Sequence, residues 1–274
     1  MLAQFGCLAL AATLYTYTYS ATPGNPEPLK LNLLICIYNE TNKHRANEYI
    51  YCLKKNLAHP MIKQIHVSYD TSQDKQLKGN LLRWLQRRQI PITYQEKRQT
   101  FGDCMRLANE LFPDDYVIIS NADIYFDKTL SQLKKQYIDG QFLALTRSAE
   151  SKDKIRPQKN LFSQDTWIFK TPFRNTEHLN LAYVGQWFCE THLCPVVVQN
   201  EKLMLYNPCL DIHCMHKHKL RLRHRKTRSN KHLGNEFAPP HCTLNKPIYA
   251  SKNTLYKLHN TGYKKTKNRE KKNQ

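Results

Sequence analysis

Short apolar runs alternate with amphipathic stretches along the first half of the chain. Four runs have the length and composition of buried strands: 31–38, 62–69, 92–94 and 115–120. Three stretches between them repeat apolar residues at helical spacing: 46–57, 76–88 and 101–111. The resulting β-α-β-α-β-α-β order predicts a Rossmann-like α/β fold, with a doubly wound, mostly parallel sheet flanked by helices.

The second half of the chain carries fewer clean patterns. One helix is predicted at 130–137, and the further predicted strands are 141–146, 165–170 and 203–206. We expect a single folded domain over 29–250. An apolar segment and Pro-rich linker, 1–28, precede it, and a basic tail without apolar periodicity, 251–274, follows it and is expected to be disordered.

Polar residues follow the predicted strands at the point where each strand ends. Ligands of doubly wound sheets bind at the carboxyl ends of strands. The candidates for a site are therefore Asn39, Glu40, Asp70, Asn121 and Asp123. The chain has only 8 glycines and contains neither a GxGxxG pattern nor a GxxxxGK loop, so a cofactor that needs a Gly-rich loop is not expected.

The sharpest local signal is the string NADIYFD at 121–127, which begins where the fourth strand ends. It places Asp123 at the edge of the sheet and a second carboxylate, Asp127, four residues later. A divalent cation that bridges two phosphates needs hard oxygen ligands in such a rigid position. The alternative is a strand-end aspartate that caps the next helix.

The same string resembles the metal-binding segment of family-2-like glycosyltransferases of the GT-A fold, in which the usual pattern is Asp-x-Asp. Asn121 stands at the first position of that pattern here. The resemblance implies that Asp123 ligates Mn²⁺ or Mg²⁺. Segment 207–218, NPCLDIHCMHKH, resembles the closing motif of the family, which implies that a histidine of this segment, His216 or His218, completes the metal site.

Other segments that resemble the family follow in matching order between residues 31 and 244. The contacts that they imply to a nucleotide-diphosphate-sugar donor are Tyr38, Asn39, Glu40, Asp70, Asp103, Arg106 and Asn121. On this interpretation, 29–128 is the nucleotide-binding half of a catalytic domain, and 129–250 is its acceptor half.

Two acidic residues are candidates for catalysis on the acceptor side. Segment 185–190, GQWFCE, resembles the acceptor-side carboxylate motif, which implies that Glu190 either deprotonates the acceptor hydroxyl or orients it. Segment 163–169, SQDTWIF, resembles a segment of a poorly characterised subgroup and makes Asp165 a second candidate. The alternative for Asp165 is a strand-start residue bonded to local backbone N–H groups. The implied activity is metal-dependent transfer of a sugar to a glycan, lipid or protein acceptor.

The charge of the chain leaves other functions open. The formal net charge is +20, and basic residues concentrate at 217–228 and in the tail. Such a field attracts polyanions, and we expect an anionic membrane surface rather than nucleic acid as a partner of the tail, since no recognised nucleic-acid module is present.

Two alternative functions follow from these features. One is a basic nucleic-acid-binding protein with a zinc site, formed by the Cys189/Cys194 and Cys209/Cys214 pairs with nearby histidines. The other is a glycosyltransferase-like binding module that lacks turnover.

The N-terminal segment is relevant to the cellular location of the protein. Its apolar run, 5–14, precedes small residues that fit a signal-peptide cleavage site, but no basic residue precedes the run. A signal peptide or weak anchor and an extension packed on the domain both remain open. The nine cysteines leave the redox compartment undetermined. We favour a secretory or membrane-associated location over the cytoplasm.

Overall fold

The computed structural model describes residues 28–151, 154–158, 164–186, 189–217 and 239–250. The strands are β1 (Leu31–Tyr38), β2 (Ile62–Asp70), β3 (Ile92–Gln95), β4 (Tyr116–Ser120), β5 (Ile124–Phe126), β6 (Gln141–Thr146), β7 (Ser148–Ser151), β8 (Lys154–Pro157), β9 (Gln164–Lys170), β10 (Met204–Tyr206) and β11 (Cys214–His216). The helices are α1 (Lys43–Leu57), α2 (Asn80–Arg87), α3 (Phe101–Leu111) and α4 (Glu190–Gln199), with 3₁₀ turns at Lys128–Gln132, Lys135–Tyr137 and Thr176–Leu179.

Two predicted segments lie outside the described residues: the apolar stretch within 1–27 and the basic tail 251–274. None of the helices within the described ranges combines the length and the apolar character needed to cross a membrane.

Seven strands form the main sheet, in the order β10-β6-β9-β4-β1-β2-β3. Strand β9 runs antiparallel to both of its neighbours, and the other neighbouring strands pair in parallel. The predicted mixed α/β class, with a large and mostly parallel sheet flanked by helices, is confirmed. The chain order reverses between β1 and β4, which makes the carboxyl ends of these two strands a topological switch point.

A smaller sheet of order β5-β11-β7-β8 brings the second half of the chain back to this edge. Strand β11 runs antiparallel to β5, and its last residue, His216, pairs with Ile124. Because Ile124 directly follows Asp123, this register places the two predicted metal ligands side by side.

The core consists of two apolar clusters that are separated by the main sheet. Successive residues of β1 point to opposite faces, so Leu33 and Ile35 belong to one cluster and Leu34 belongs to the other. The first cluster includes apolar residues of α1 and α2, and the second includes those of α3 and α4. Burial on both faces explains why β1 is a nearly continuous apolar run.

Most predicted elements are present, and three begin and end at the predicted residues: Leu31–Tyr38, Phe101–Leu111 and Gln141–Thr146. The helix predicted at 130–137 is wrong, because two 3₁₀ turns replace it. Leu133 between them has an extended backbone, with φ −65° and ψ 138°. This break lets Leu130, Leu133 and Ile138 all reach the first cluster.

Helix α2 begins later than predicted because Asp74 organises the loop before it. The Asp74 carboxylate accepts hydrogen bonds from the backbone N–H of Lys78 at 2.9 Å, from that of Gly79 at 2.9 Å, and from the Tyr69 hydroxyl at 2.8 Å. These bonds hold the segment between β2 and α2 in a non-helical path as far as Gly79, the N-cap of α2.

Replacement of Gly79 tests this packing. A Cβ atom at Gly79 would lie 2.7 Å from Asn39 Oδ1, 2.8 Å from Asp74 Oδ2 and 2.9 Å from Tyr69 Oη. Tyr69 and Asp74 are buried and cannot move aside freely. We therefore expect Gly79→Ala to lower the free energy of unfolding by about 1–3 kcal/mol, as measured by urea denaturation. The exposed neighbour Lys78 supplies the control, and an equal loss in Lys78→Ala would contradict the packing argument.

Candidate functional site

The candidate site lies at the carboxyl ends of β1 and β4, where Asp123 meets His216. Asp123 occupies the turn between β4 and β5, and its Oδ2 atom lies 2.9 Å from His216 Nε2. The backbone carbonyl of Asp123 also accepts a hydrogen bond from the N–H of Lys217 at 2.8 Å. The side chains of Asp123 and His216 are only 9% and 15% exposed, so this pair is largely withdrawn from water.

Arg45 is a third member of this cluster. Its Nη2 donates to the same Asp123 oxygen that faces His216, and its Nη1 donates to Glu48 Oε2 at 2.9 Å. Arg45 lies in the first turn of α1, where the Asn42 side chain caps the helix and accepts from the Arg45 N–H at 3.2 Å. The cap therefore fixes the backbone of Arg45 at the start of α1, and the Arg45 side chain reaches Asp123 from that position.

The environment keeps Asp123 ionised. Burial tends to raise the pKa of Asp123, but the hydrogen bond and charge of His216 and the charge of Arg45 outweigh it, so the pKa lies well below its usual range. Conversely, burial tends to lower the pKa of the Arg45 guanidinium, and the charge of Asp123 helps to raise it above its ordinary value. A charged carboxylate is therefore present at neutral pH.

A second buried carboxylate, Asp165, lies close to the first. It is the second residue of β9, and its Oδ1 accepts a hydrogen bond from Asn121 Nδ2 at 2.6 Å. Arg147 Nη1 lies 3.2 Å from its Oδ2. These partners are side chains from two other segments, rather than the local backbone N–H groups of the alternative interpretation.

The two carboxyl groups differ in their proton affinity. Burial raises the pKa of Asp165 above its ordinary value, and the negative charge of Asp123 adds to this effect, although Arg147 opposes it. One carboxyl group is thus held as an anion while its neighbour is pushed towards the protonated form. Environments that separate two pKa values in this way often divide different roles between the groups.

The residues predicted to border the nucleotide gather at the same edge of the sheet. Tyr38 and Asp70 are register partners at the ends of β1 and β2. The Tyr38 side chain is exposed, and its hydroxyl donates to Glu40 at 3.0 Å. Glu40 in turn accepts from the Asn42 N–H at 2.8 Å. Asn39 lies beside Gly79 at the start of α2.

Asp103 and Arg106 lie on α3, and they pair with each other and with residues before and after this helix. Asp103 forms a reciprocal capping box with Thr100. Arg106 lies 2.7 Å from Asp103 and 3.0 Å from Asn180 Oδ1, so it ties α3 to the end of the 3₁₀ turn that precedes Asn180. Contact between these two residues and a donor stays a prediction.

Several other predicted residues fall elsewhere. His218 lies outside the described residues, as does the side chain of Glu190, whose backbone begins α4. Asp127 caps the following 3₁₀ turn and pairs with His213 Nδ1 at 3.0 Å. The capping alternative raised for a strand-end aspartate therefore describes Asp127, and Asp123 has different partners.

Within the described residues, no group of three or more His, Cys, Asp or Glu side chains is arranged to hold a metal ion. The described cysteines and histidines of the zinc alternative, including Cys189, Cys194, Cys209 and Cys214, form no such group either. The Asp123–His216 pair supplies two donors. Two ligands bound at right angles, each at about 2.1 Å from one cation, lie about 3 Å apart, and the 2.9 Å separation of Oδ2 and Nε2 fits that spacing.

Sequence reasoning missed Arg45 and Arg147. A signal for Arg45 was present, because a cation in the first turn of a helix opposes the helix dipole and needs another reason to be there. Arg147 follows β6 directly, in a position that resembles any polar strand end, and nothing in the local pattern pointed to Asp165 as its partner.

Comparisons with known proteins leave the family open. No protein-family profile and no curated protein sequence matches the chain. Among solved structures, the chain is similar to the mannosyltransferase PcManGT of Pyrobaculum calidifontis in complex with GDP-Man and Mn²⁺, with 12% identity and a TM-score of 0.45 over 72% of this chain and 58% of that one.

TarS 1-349 of S. aureus is similar at 17% identity, with a TM-score of 0.34 over 52% of this chain and 47% of that one. A putative glucose-1-phosphate thymidylyltransferase of Bacillus anthracis is similar at 13% identity, with a TM-score of 0.34 over 51% of this chain and 71% of that one. The matched part thus spans about half the length of TarS 1-349. At these identities and TM-scores, the likeness carries no inference about activity.

The Arg45–Asp123 ion pair can be tested through a double-mutant cycle. We expect Arg45→Met, Asp123→Asn and the double variant to give a coupling energy of about 1–3 kcal/mol in urea unfolding, because each single change deprives a buried charged group of one of its two charged partners. The control is the Lys63–Asp115 pair, whose side chains are 56% and 30% exposed.

The control cycle, with Lys63→Met and Asp115→Asn, should give a coupling energy below about 1 kcal/mol. Equal coupling energies in the two cycles would show that burial does not strengthen the interaction between Arg45 and Asp123.

Proposed function

We propose that this chain is a glycosyltransferase of the GT-A type, which transfers a sugar from a nucleotide-diphosphate sugar to an acceptor hydroxyl. The observation that carries the proposal is the ionised Asp123, which lies 2.9 Å from His216 at the switch point of the sheet. Open α/β sheets bind their ligands at this point. A carboxylate and an imidazole side by side are suited to a divalent cation that also holds a diphosphate.

The donor nucleotide is proposed to lie across the ends of β1 and β2. Tyr38 offers an exposed ring at the first strand end, and Asp70 offers a carboxylate at the second. An aromatic ring can pack against a nucleobase, and a carboxylate can accept hydrogen bonds from base or ribose donors. The hydrogen bonds that the Glu40 carboxylate accepts from the Tyr38 hydroxyl and from the Asn42 N–H hold this loop in place.

Asp123 and His216 are the described residues that would hold Mn²⁺ or Mg²⁺. A cation bound there would neutralise the charge that develops on the departing nucleoside diphosphate. Arg45 keeps Asp123 ionised and directs its carboxylate, and its guanidinium adds a second positive charge at the place where phosphate oxygens would arrive. Arg45 is therefore a positioning residue in this proposal.

Asp165 is proposed to act on the acceptor side. Transfer forms a bond between the acceptor oxygen and the sugar carbon and breaks the bond from that carbon to the diphosphate oxygen. The proton of the acceptor hydroxyl must go to a base, and a carboxylate of raised pKa takes up a proton more readily. Asn121 and Arg147 hold Asp165 in place for this step. Glu190 remains a second candidate, as the base or as an orienting group.

The acceptor is proposed to be a glycan, lipid or protein hydroxyl, and the basic tail is proposed to favour an anionic membrane surface. A binding module without turnover would show the same nucleotide binding and no transfer, so an assay of transfer separates it from the enzyme.

Metal-dependent nucleotide binding gives the first test of this proposal. We expect UDP or GDP together with MnCl₂ to raise the thermal unfolding midpoint of the full chain more than either additive alone, since a ligand at 100 times its Kd adds about 2.7 kcal/mol of stability. Asp123→Ala should lose this shift. Asp127→Ala is the matched control, because Asp127 lies in the same string but pairs with His213. A full metal-dependent shift in Asp123→Ala would remove the site from the proposal.

The acceptor-side carboxylates give a separate test. We expect Asp165→Asn and Glu190→Gln to keep the nucleotide-dependent thermal shift and to slow transfer from a donor panel. Loss of a general base lowers the rate by about 10²–10⁴-fold, and loss of an orienting group lowers it less. Transfer at the wild-type rate in Asp165→Asn would exclude Asp165 from proton transfer.

A further inference from the structure

Two cysteines beside the proposed donor site bring their sulfur atoms together across the fold. Cys36 lies on β1 and Cys104 lies in the second turn of α3, and their Sγ atoms are 3.0 Å apart. A disulfide bond has an S–S length of about 2.05 Å, so the sulfur atoms need to approach by only about 1 Å. Cys104 is buried, whereas Cys36 is partly accessible.

We propose that Cys36 and Cys104 are a disulfide-forming site that locks α3 onto β1, an interior strand of the sheet. The oxidant is a low-molecular-weight disulfide of the glutathione type, which oxidising compartments maintain. This inference is independent of the proposed glycosyl transfer, because it concerns a covalent bond within the fold.

The reaction balances as two thiol–disulfide exchanges. The Cys36 thiolate, the more accessible sulfur, attacks one sulfur of glutathione disulfide, and one glutathione thiolate leaves. The Cys104 thiol gives its proton to the glutathione thiolate that was released first, and its sulfur then attacks the Cys36 sulfur and displaces the second glutathione thiolate. This second thiolate takes up from water a proton equivalent to the one that Cys36 lost on becoming a thiolate. Two electrons pass from the two cysteine thiols to glutathione disulfide, and two molecules of reduced glutathione form.

The bond would join two parts of the fold that are already firmly placed. Strand β1 pairs with β2 on one side and with β4 on the other. The start of α3 is tied to the segment before the predicted acceptor motif, since the Phe101 N–H donates to the Ala182 carbonyl at 2.7 Å and the Val184 N–H donates to the Gln99 carbonyl at 3.1 Å. The disulfide would therefore fix the position of that segment against β1.

A bond between these residues closes a loop of 68 residues along the chain. In the chain-entropy model, a cross-link of this span strongly restricts the unfolded ensemble. We expect the oxidised protein to unfold about 5–10 °C higher than the reduced protein.

The experiment starts from the full chain, equilibrated with a buffer of oxidised and reduced glutathione. Acid quenching, denaturation and alkylation are followed by peptide mass mapping without reductant. We expect one cross-linked species that joins the peptides of Cys36 and Cys104, which dithiothreitol separates. Recovery of both cysteines in alkylated form from the oxidised sample, or a cross-link of either cysteine to a different one, would overturn the proposal.

Variants supply the second readout. Cys36→Ser and Cys104→Ser should abolish the fall in unfolding temperature that dithiothreitol causes in the wild type. Cys52→Ser is the matched control, because Cys52 is another buried cysteine and belongs to α1. It should retain the reductant-dependent fall even if its own stability changes. A full fall in Cys36→Ser would contradict the proposed pairing.

Discussion

The site depends on one carboxylate that stays charged although it is buried. Asp123 is 7% exposed, and an isolated negative charge in such a place is strongly unfavourable. His216 and Arg45 offset that cost from two directions, and the pKa of Asp123 falls as a result. The fold thereby maintains an anion at the sheet edge where ligands of this architecture bind. In the proposed reaction, this charged carboxylate and the neighbouring imidazole would bind the divalent cation.

Three distant segments have to be in place for this interaction to exist. The Asn42 cap directs Arg45 from the first turn of α1, β4 carries Asp123 to the sheet edge, and the β5–β11 pairing brings back His216. Asp165 joins them from the antiparallel strand β9. Its pKa moves in the opposite direction to that of Asp123, because burial is offset less completely. One environment thus provides both a permanent anion and a group suited to accept a proton.

The sequence predicted the parts of the fold that depend on local periodicity. The buried run Leu31–Tyr38 and the amphipathic helix Phe101–Leu111 each show their pattern of apolar residues within a short stretch of sequence. Both elements begin and end at the predicted residues. Helix α4 was missed because Pro195 lies inside it, where a proline usually indicates a helix end, and because its sequence shows no clear separation of apolar and polar faces. The short strands β5 and β11 were missed because each has only three residues, too few to show an alternation of apolar and polar positions.

The same contrast holds for the site. Asp123 and His216 were both selected from motifs, and the structure brings them together. Arg45 was not selected, because its importance comes from a partner 78 residues away. Residue types at strand ends can thus be predicted from sequence, whereas the pairing of charges across the fold requires the tertiary structure.

A crystal structure of the protein grown with Mn²⁺ and a nucleoside diphosphate, with manganese located by its anomalous scattering, would show directly whether Asp123 binds a cation. We expect a manganese peak within about 2.2 Å of both an Asp123 oxygen and His216 Nε2, with diphosphate oxygens completing the coordination. A nucleotide bound at the sheet edge with no manganese at Asp123, or manganese bound at another place, would contradict this expectation.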